Sequence, residues 1–117
     1  MEKRDQFKEY LKNSECEITI IKMGATWCRP CVAIAPFIKQ VNDEYSKKYK
    51  YNYVELDIDN CTDTYAFLKQ KKMVRGVPVL LCYNKCNFSE NLFYIPTDSI
   101  TGPSPQDIVA FYKRNVS

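Results

Sequence analysis

Residues 18–36 read Ile18-Thr19-Ile20-Ile21-Lys22-Met23-Gly24-Ala25-Thr26-Trp27-Cys28-Arg29-Pro30-Cys31-Val32-Ala33-Ile34-Ala35-Pro36, and the fold turns on how this stretch is parsed. Residues 18–23 are rich in β-branched side chains and read as a strand. Gly24, Ala25 and Thr26 make a short loop. From about Arg29 to Lys48 the apolar residues Ile34, Ile38, Val41 and Tyr45 recur at helical spacing, so a long helix follows, with Pro36 expected to kink it. A Cys-x-x-Cys pair therefore sits where a strand hands over to the start of a helix.

That position has chemical consequences. A helix N-terminus carries partial positive charge and free N–H groups, and both steady a sulfur anion. Cys28, expected to be the exposed cysteine of the pair, is the candidate nucleophile. Arg29 adds a full positive charge next to it, which favours the reduced form and a more oxidising pair. A Cys28 thiolate can attack a target disulfide to give a mixed disulfide, and Cys31, one turn on, can resolve it. Pro30 limits the backbone and helps keep the two sulfurs within bonding reach.

Working outward, residues 3–12 read as a helix with Phe7, Tyr10 and Leu11 on one face. Residues 52–58 read as a second strand, in which Val54, Leu56 and Ile58 alternate with Tyr53, Glu55 and Asp57. Residues 63–71 carry Tyr65, Phe67 and Leu68 and read as a helix; Val79 to Tyr83 reads as a third strand. Leu92 to Ile95 is expected as a fourth strand, with Asn84 to Asn91 as the hairpin connection. The last helix has a clear start: Ser104 as N-cap, Pro105 in the first turn and Asp107 three residues after the cap. Its apolar face is Ile108, Phe111 and Tyr112. The order α-β-α-β-α-β-β-α predicts an α/β fold with a mixed four-stranded sheet and helices on both faces. Its first β-α-β unit should be parallel with a right-handed crossover.

Composition narrows the function classes. The chain has 117 residues, 45% of them hydrophobic, which suits a single domain over 1–117 with an ordinary core. Its net charge is +3, from 17 basic and 14 acidic residues, and it has no arginine-rich arm, so nucleic acid is not an expected partner. It has no histidine, which removes Ser-His and Cys-His catalytic pairs and histidine metal ligands. No stretch approaches transmembrane length, and Met1–Gln6 is polar, so no membrane association and a cytoplasmic, thiol-reducing location are expected.

The context of the cysteine pair makes it specific. Trp27 precedes it, Ile34-Ala35-Pro36 follows it, and Arg75-Gly76-Val77-Pro78 leads into the third strand. Together these resemble the thioredoxin family, with its W-C-x-P-C active site, kinking proline and cis-proline loop. The resemblance runs from about Ile18 to Tyr83 and resumes weakly over the last helix. It implies a thioredoxin-like fold and a protein-disulfide reductase, with disulfide-containing proteins as substrates, an upstream thiol reductase, and no resident cofactor. It also implies that Pro78 is cis beside the cysteines and that Val77 offers backbone hydrogen bonds to substrate. Trp27, Gly76 and Val77 would line a shallow apolar groove, which Arg29 and Arg75 would flank.

Two departures stand out. The resemblance puts Lys22 where that family carries a buried aspartate, and Glu55 where it carries the partnering lysine. A lone buried charge is costly, so the expectation is a partly buried Lys22–Glu55 ion pair beneath Cys31, with Glu55 relaying the Cys31 proton. The alternative is that both side chains snorkel to water. The family's usual first strand is also missing, which leaves strand 52–58 at a sheet edge, either in a monomer or paired with a second chain.

Other readings compete. Cys28, Cys31, Cys82 and Cys86 could supply four thiolates to zinc, but Cys82 falls inside a strand, where a small buried hydrophobe is the plainer reading. Cys16 and Cys61 have no expected catalytic role. The basic run Lys69, Lys71, Lys72 and Arg75 is either a solvated face or a bias toward acidic partners. An oxidising or isomerising protein fits the Arg29 argument, and a binding module without turnover is a further possibility. A glutaredoxin would use glutathione, but the Gly-Gly pair that resemblance to that family would require after the proline strand is absent here.

Overall fold

The computed structural model describes residues 1–116. In chain order the elements are α1 (Arg4–Lys12), β1 (Ile18–Gly24), α2 (Arg29–Ser46), β2 (Asn52–Asp57), α3 (Thr62–Gln70), β3 (Val79–Asn84), β4 (Asp98–Thr101) and α4 (Pro105–Val116). One four-stranded sheet runs β2-β1-β3-β4. β1 and β2 are parallel, and both β1–β3 and β3–β4 are antiparallel. The mixed α/β sheet expected from the element order is therefore present.

Strand periodicity sorts the core onto two faces. Ile21 and Met23 of β1 join Phe7, Leu11 and Leu68 in a cluster under α1 and α3. Ile20 joins Ile34, Ile38, Val41, Leu80, Ile108, Phe111 and Tyr112 in a cluster under α2 and α4. The helix faces read from spacing turn inward, with Tyr10, Tyr45 and Tyr65 half-buried at their margins. α2 continues through Pro36, which is exposed. The Ser104 Oγ accepts the Asp107 N–H at 3.3 Å, so α4 starts at the expected cap.

β2 lies at a sheet edge, as the missing strand implied. Its flank is tied down by Tyr51, whose hydroxyl donates to Asn42 Oδ1 at 2.6 Å. The other edge corrects the sequence reading. The fourth strand is Asp98–Thr101, not Leu92–Ile95, and the hairpin connection is correspondingly longer, opening with a 3-10 turn at Lys85–Asn87. Leu92–Ile95 lacks strand alternation, and tertiary packing claims it. Phe93 stacks on Phe67 with ring centroids 5.8 Å apart, and Tyr94 meets Phe67 edge-on at 5.3 Å. The chain then bends at Thr97 and enters the sheet, with Thr97 N–H donating to the Cys82 carbonyl at 2.8 Å.

Lys72, just past α3, has φ +64°, in the left-handed region where a helix C-terminus usually places glycine. The basic run around it is partly engaged with aromatic rings: the Lys71 ammonium lies 5.4 Å from the Tyr94 ring centre and Lys69 lies 5.8 Å from that of Tyr65.

Candidate active site

β1 ends at Gly24, and the chain needs only a short loop before α2 begins. Cys28 is the N-cap of α2, with its N–H donating to the Ala25 carbonyl at 3.2 Å. The Cys31 N–H donates to Cys28 Sγ at 3.4 Å, so an otherwise unpaired helix-start amide is spent on this sulfur. Both cysteines are free thiols here. The helix-end arrangement expected for a redox pair is thus realised.

Cys28 is less open than expected. Only 8% of it is exposed, against 4% for Cys31, because its Sγ lies 3.8 Å from the Val77 carbonyl oxygen, to which the thiol donates. The Val77–Pro78 peptide is cis. The loop before β3 therefore roofs the sulfur with backbone. Gly76 borders open space, since a side chain there would meet nothing within 4 Å. Arg75 and Arg29 are exposed, as is Pro30.

Trp27 is 65% exposed, which excludes a core role for it. It is nonetheless held: its indole Nε1–H donates to Asp59 Oδ2 at 3.0 Å. Asp59 sits on a turn after β2, fixed by its own N–H donating to Asp57 Oδ1 at 2.9 Å. Asp59 escaped the sequence reading. A short Asp-Ile-Asp-Asn turn signal was present, but nothing local shows that it faces Trp27.

The two thiols differ in environment. Burial pushes the Cys31 thiol up to about 11, and its hydrogen bond to Cys28 adds to the rise, while the Lys22 charge pulls the other way. A group held protonated near neutral pH suits the second, resolving attack rather than the first.

Lys22 and Glu55 are direct register partners on β1 and β2, with Nζ and Oε2 3.5 Å apart. The expected pair forms, unevenly buried: the Lys22 side chain is 11% exposed and that of Glu55 58%. Both line an open cleft that also contains Cys31, Gly24, Ala35 and Asp57.

The remaining cysteines lie apart from this pair. Cys82 is fully buried in β3 under α2 and α4, and Cys86 is exposed on the 3-10 turn, so the four thiols of the zinc reading do not converge. Cys16 is buried before β1. Cys61 is buried at the start of α3, with its thiol donating to the Asp57 carbonyl at 3.3 Å and burial pushing it up. Among the described residues no helix is long and apolar enough to cross a membrane.

Comparison with known proteins agrees with this geometry. The thioredoxin family profile matches residues 1–113. Thioredoxin C-2 of Corynebacterium nephridii is 36% identical over 64 residues, which span 55% of this chain and 54% of that protein. The thioredoxin of Staphylococcus saprophyticus is 28% identical over 98 residues, 84% of this chain and 81% of that protein. Over the first curated relatives the match spans between 54% and 64% of their length. The solved reduced thioredoxin pre-protein of Schistosoma mansoni shares the fold with a TM-score of 0.70, at 21% identity, over 98% of this chain and 94% of that one. The oxidised thioredoxin of Plasmodium falciparum does so with a TM-score of 0.70, at 18% identity, over 100% of this chain and 96% of that one.

Proposed function

The chain belongs to the thioredoxin family, and from that premise we propose that it reduces protein disulfides by dithiol–disulfide exchange at Cys28 and Cys31. The observation that carries the reading is the asymmetric pair. Cys28 sits at the helix start and receives the Cys31 N–H, while burial pushes the Cys31 thiol up to about 11.

In the first step the Cys28 thiolate attacks one sulfur of the substrate disulfide. A Cys28–substrate bond forms, the substrate disulfide breaks, and the departing substrate thiolate takes up a proton. In the second step Cys31 loses its proton and attacks Cys28 Sγ. The Cys28–Cys31 bond forms, the mixed disulfide breaks, and the second substrate thiolate leaves. Two electrons have passed to the substrate, and an upstream thiol reductase returns them to the pair.

Trp27, Gly76, Val77 and Pro78 form the docking surface in this reading. Substrate backbone replaces the Cys28 thiol at the Val77 carbonyl, and the bare Gly76 lets it approach. Arg29 and Arg75 flank that surface and favour acidic neighbours of the target disulfide. The setting is a reducing one, the cytoplasm in the simplest case, and the working unit is a monomer.

The test is insulin reduction at fixed protein concentration, driven either by NADPH with a thioredoxin reductase or by glutathione. Turnover with the reductase and little with glutathione is expected. Stoichiometric binding of insulin without thiol release would instead indicate a binding module, and net disulfide formation in a reduced substrate an oxidant.

A further inference from the structure

The two edges of the sheet are finished differently. β4 is short, and its Asp98 is clamped by Arg114 and Asn115 from α4. β2 runs Asn52-Tyr53-Val54-Glu55-Leu56-Asp57, without the proline or lysine that commonly blunts an edge. Among the described residues it pairs with β1 alone, so a row of its N–H and C=O groups faces outward. Val54 and Leu56 are half-buried, whereas the interiors of β1 and β3 are buried throughout.

An open groove runs beside this edge. α1 lies alongside β2. At one end the Asn52 side-chain amide donates to Ser14 Oγ, and at the other, past the end of β2, Thr64 Oγ1 donates to the Met1 carbonyl at 3.2 Å. The groove between them has a volume of about 660 Å³ and is lined by Asp5, Gln6, Glu9 and Tyr10 of α1 with Glu15 and Asn52. No lysine or arginine lines it, and the α-ammonium of Met1, at its margin, lies within electrostatic reach of the Cys61 thiol. On the opposite face of the strand, Glu55 and Asp57 add two carboxylates, with Lys22 as the inner partner of Glu55.

Charge decides among the occupants of such an edge. A phosphate backbone is repelled by it. A second copy of the chain brings the same carboxylates on its own β2, and like charges facing each other across a strand pair are destabilising. A positively charged strand gains twice: its backbone completes the open edge, and its side chains meet the carboxylates. We propose that the β2 edge is a docking strand for an extended, lysine- or arginine-rich segment of a partner protein, which adds to the sheet beside the acidic groove. Alternate residues of that segment bear on Val54 and Leu56 and on Glu55 and Asp57. This surface goes beyond the exchange reaction and is separate from the one formed by Trp27, Gly76, Val77 and Pro78. Its far end adjoins the turn that carries Asp59, the partner of Trp27, so a docked partner is held next to the cysteine pair.

The test uses a fluorescent peptide of alternating valine and lysine, about eight residues long to span β2. It contains no cysteine, so the outcome does not depend on disulfide exchange. Its anisotropy should rise on binding, and the affinity should fall as salt is raised. Hydrogen exchange of the β2 amides should slow in its presence. A peptide with glutamate in place of lysine should not bind, nor should one with proline at a central valine, which cannot complete the backbone ladder. Glu9→Lys combined with Glu15→Lys, both on exposed residues outside the cysteine site, should weaken binding about fivefold. Absence of lysine-peptide binding at about 1 mM overturns the proposal. So does equal binding of the lysine and glutamate peptides, or of the valine and proline peptides. Slowed exchange confined to residues outside β2 contradicts it as well. Sedimentation as a dimer that the peptide does not dissociate would give the edge to a second copy instead. If the double variant melts like the parent protein and binds the peptide equally well, the acidic groove has no part in docking and the proposal fails; the peptide controls decide the matter where that variant does not fold.

Discussion

Residues 18–36 and residues 84–101 are both short segments that lead into or out of the central sheet, yet they are specified in different ways. The first is written locally: β-branched strand, glycine turn, helix-start cysteine and helical spacing each point to the same outcome. The second is held from a distance. Its strand residues are few and polar, its aromatic run faces α3, and Glu90 reaches back to α1, with carboxylate oxygens 2.9 Å from Lys8 and 2.8 Å from Lys12. The lesson is a division of labour. The segment that carries the cysteine pair is autonomous in sequence, and the segment that seals the sheet depends on tertiary contacts.

That division can be broken by experiment. The largest effect belongs to the chemical segment. Cys28→Ser should lower disulfide reduction by about a hundredfold or more, since Cys28 is the thiol that receives a helix-start N–H, while unfolding free energy changes by less than about 1 kcal/mol. Turnover that survives in Cys28→Ser would transfer the chemistry elsewhere. The mirror experiment is Phe67→Ala, beneath the second segment. Phe67 is 8% exposed and carries both Phe93 and Tyr94, and Arg4 lies 4.6 Å from its ring centre. Denaturant unfolding should show a loss of about 3 kcal/mol or more, with the rate of the first thiol exchange kept. A large fall in that rate at temperatures where the protein is folded would show that the two regions are not separable.

Smaller effects sharpen the contrast. Arg29→Gly should make the cysteine pair more reducing by roughly 20 mV for each kcal/mol of thiolate stabilisation lost; equilibration with glutathione would measure it, and an unchanged potential would exclude a role for this guanidinium. On the scaffold side, Lys72→Gly should stabilise the protein by about 0.5–1 kcal/mol, because glycine enters the left-handed region without the penalty a side chain incurs. A neutral or negative change would mean that the Lys72 side chain makes a compensating contribution.

Much of the site was legible because it is encoded at fixed short spacing. The Cys28–Cys31 pair, Trp27 beside it and the proline at 78 stand where the sequence placed them. The Lys22–Glu55 pairing came from the family resemblance, as one of two readings, and the two residues are register partners on β1 and β2. What escaped was non-local. The fourth strand was misplaced because aromatic packing against Phe67 overrode the apolar character of Leu92–Ile95. Asp59 was missed because only the meeting of two loops gives it Trp27 as a partner. The enclosure of Cys28 was missed because its roof is the backbone of a loop 49 residues away.

The central claim is that one sulfur attacks and the other releases. It is tested most directly by mixing Cys31→Ser protein with insulin, quenching with an alkylating reagent, and locating any covalent adduct by mass. The account predicts a stable one-to-one disulfide between insulin and Cys28, which the unsubstituted protein does not accumulate because it closes its own Cys28–Cys31 bond. An adduct at Cys61 or Cys86, or none above the level seen with Cys28→Ser, would contradict it.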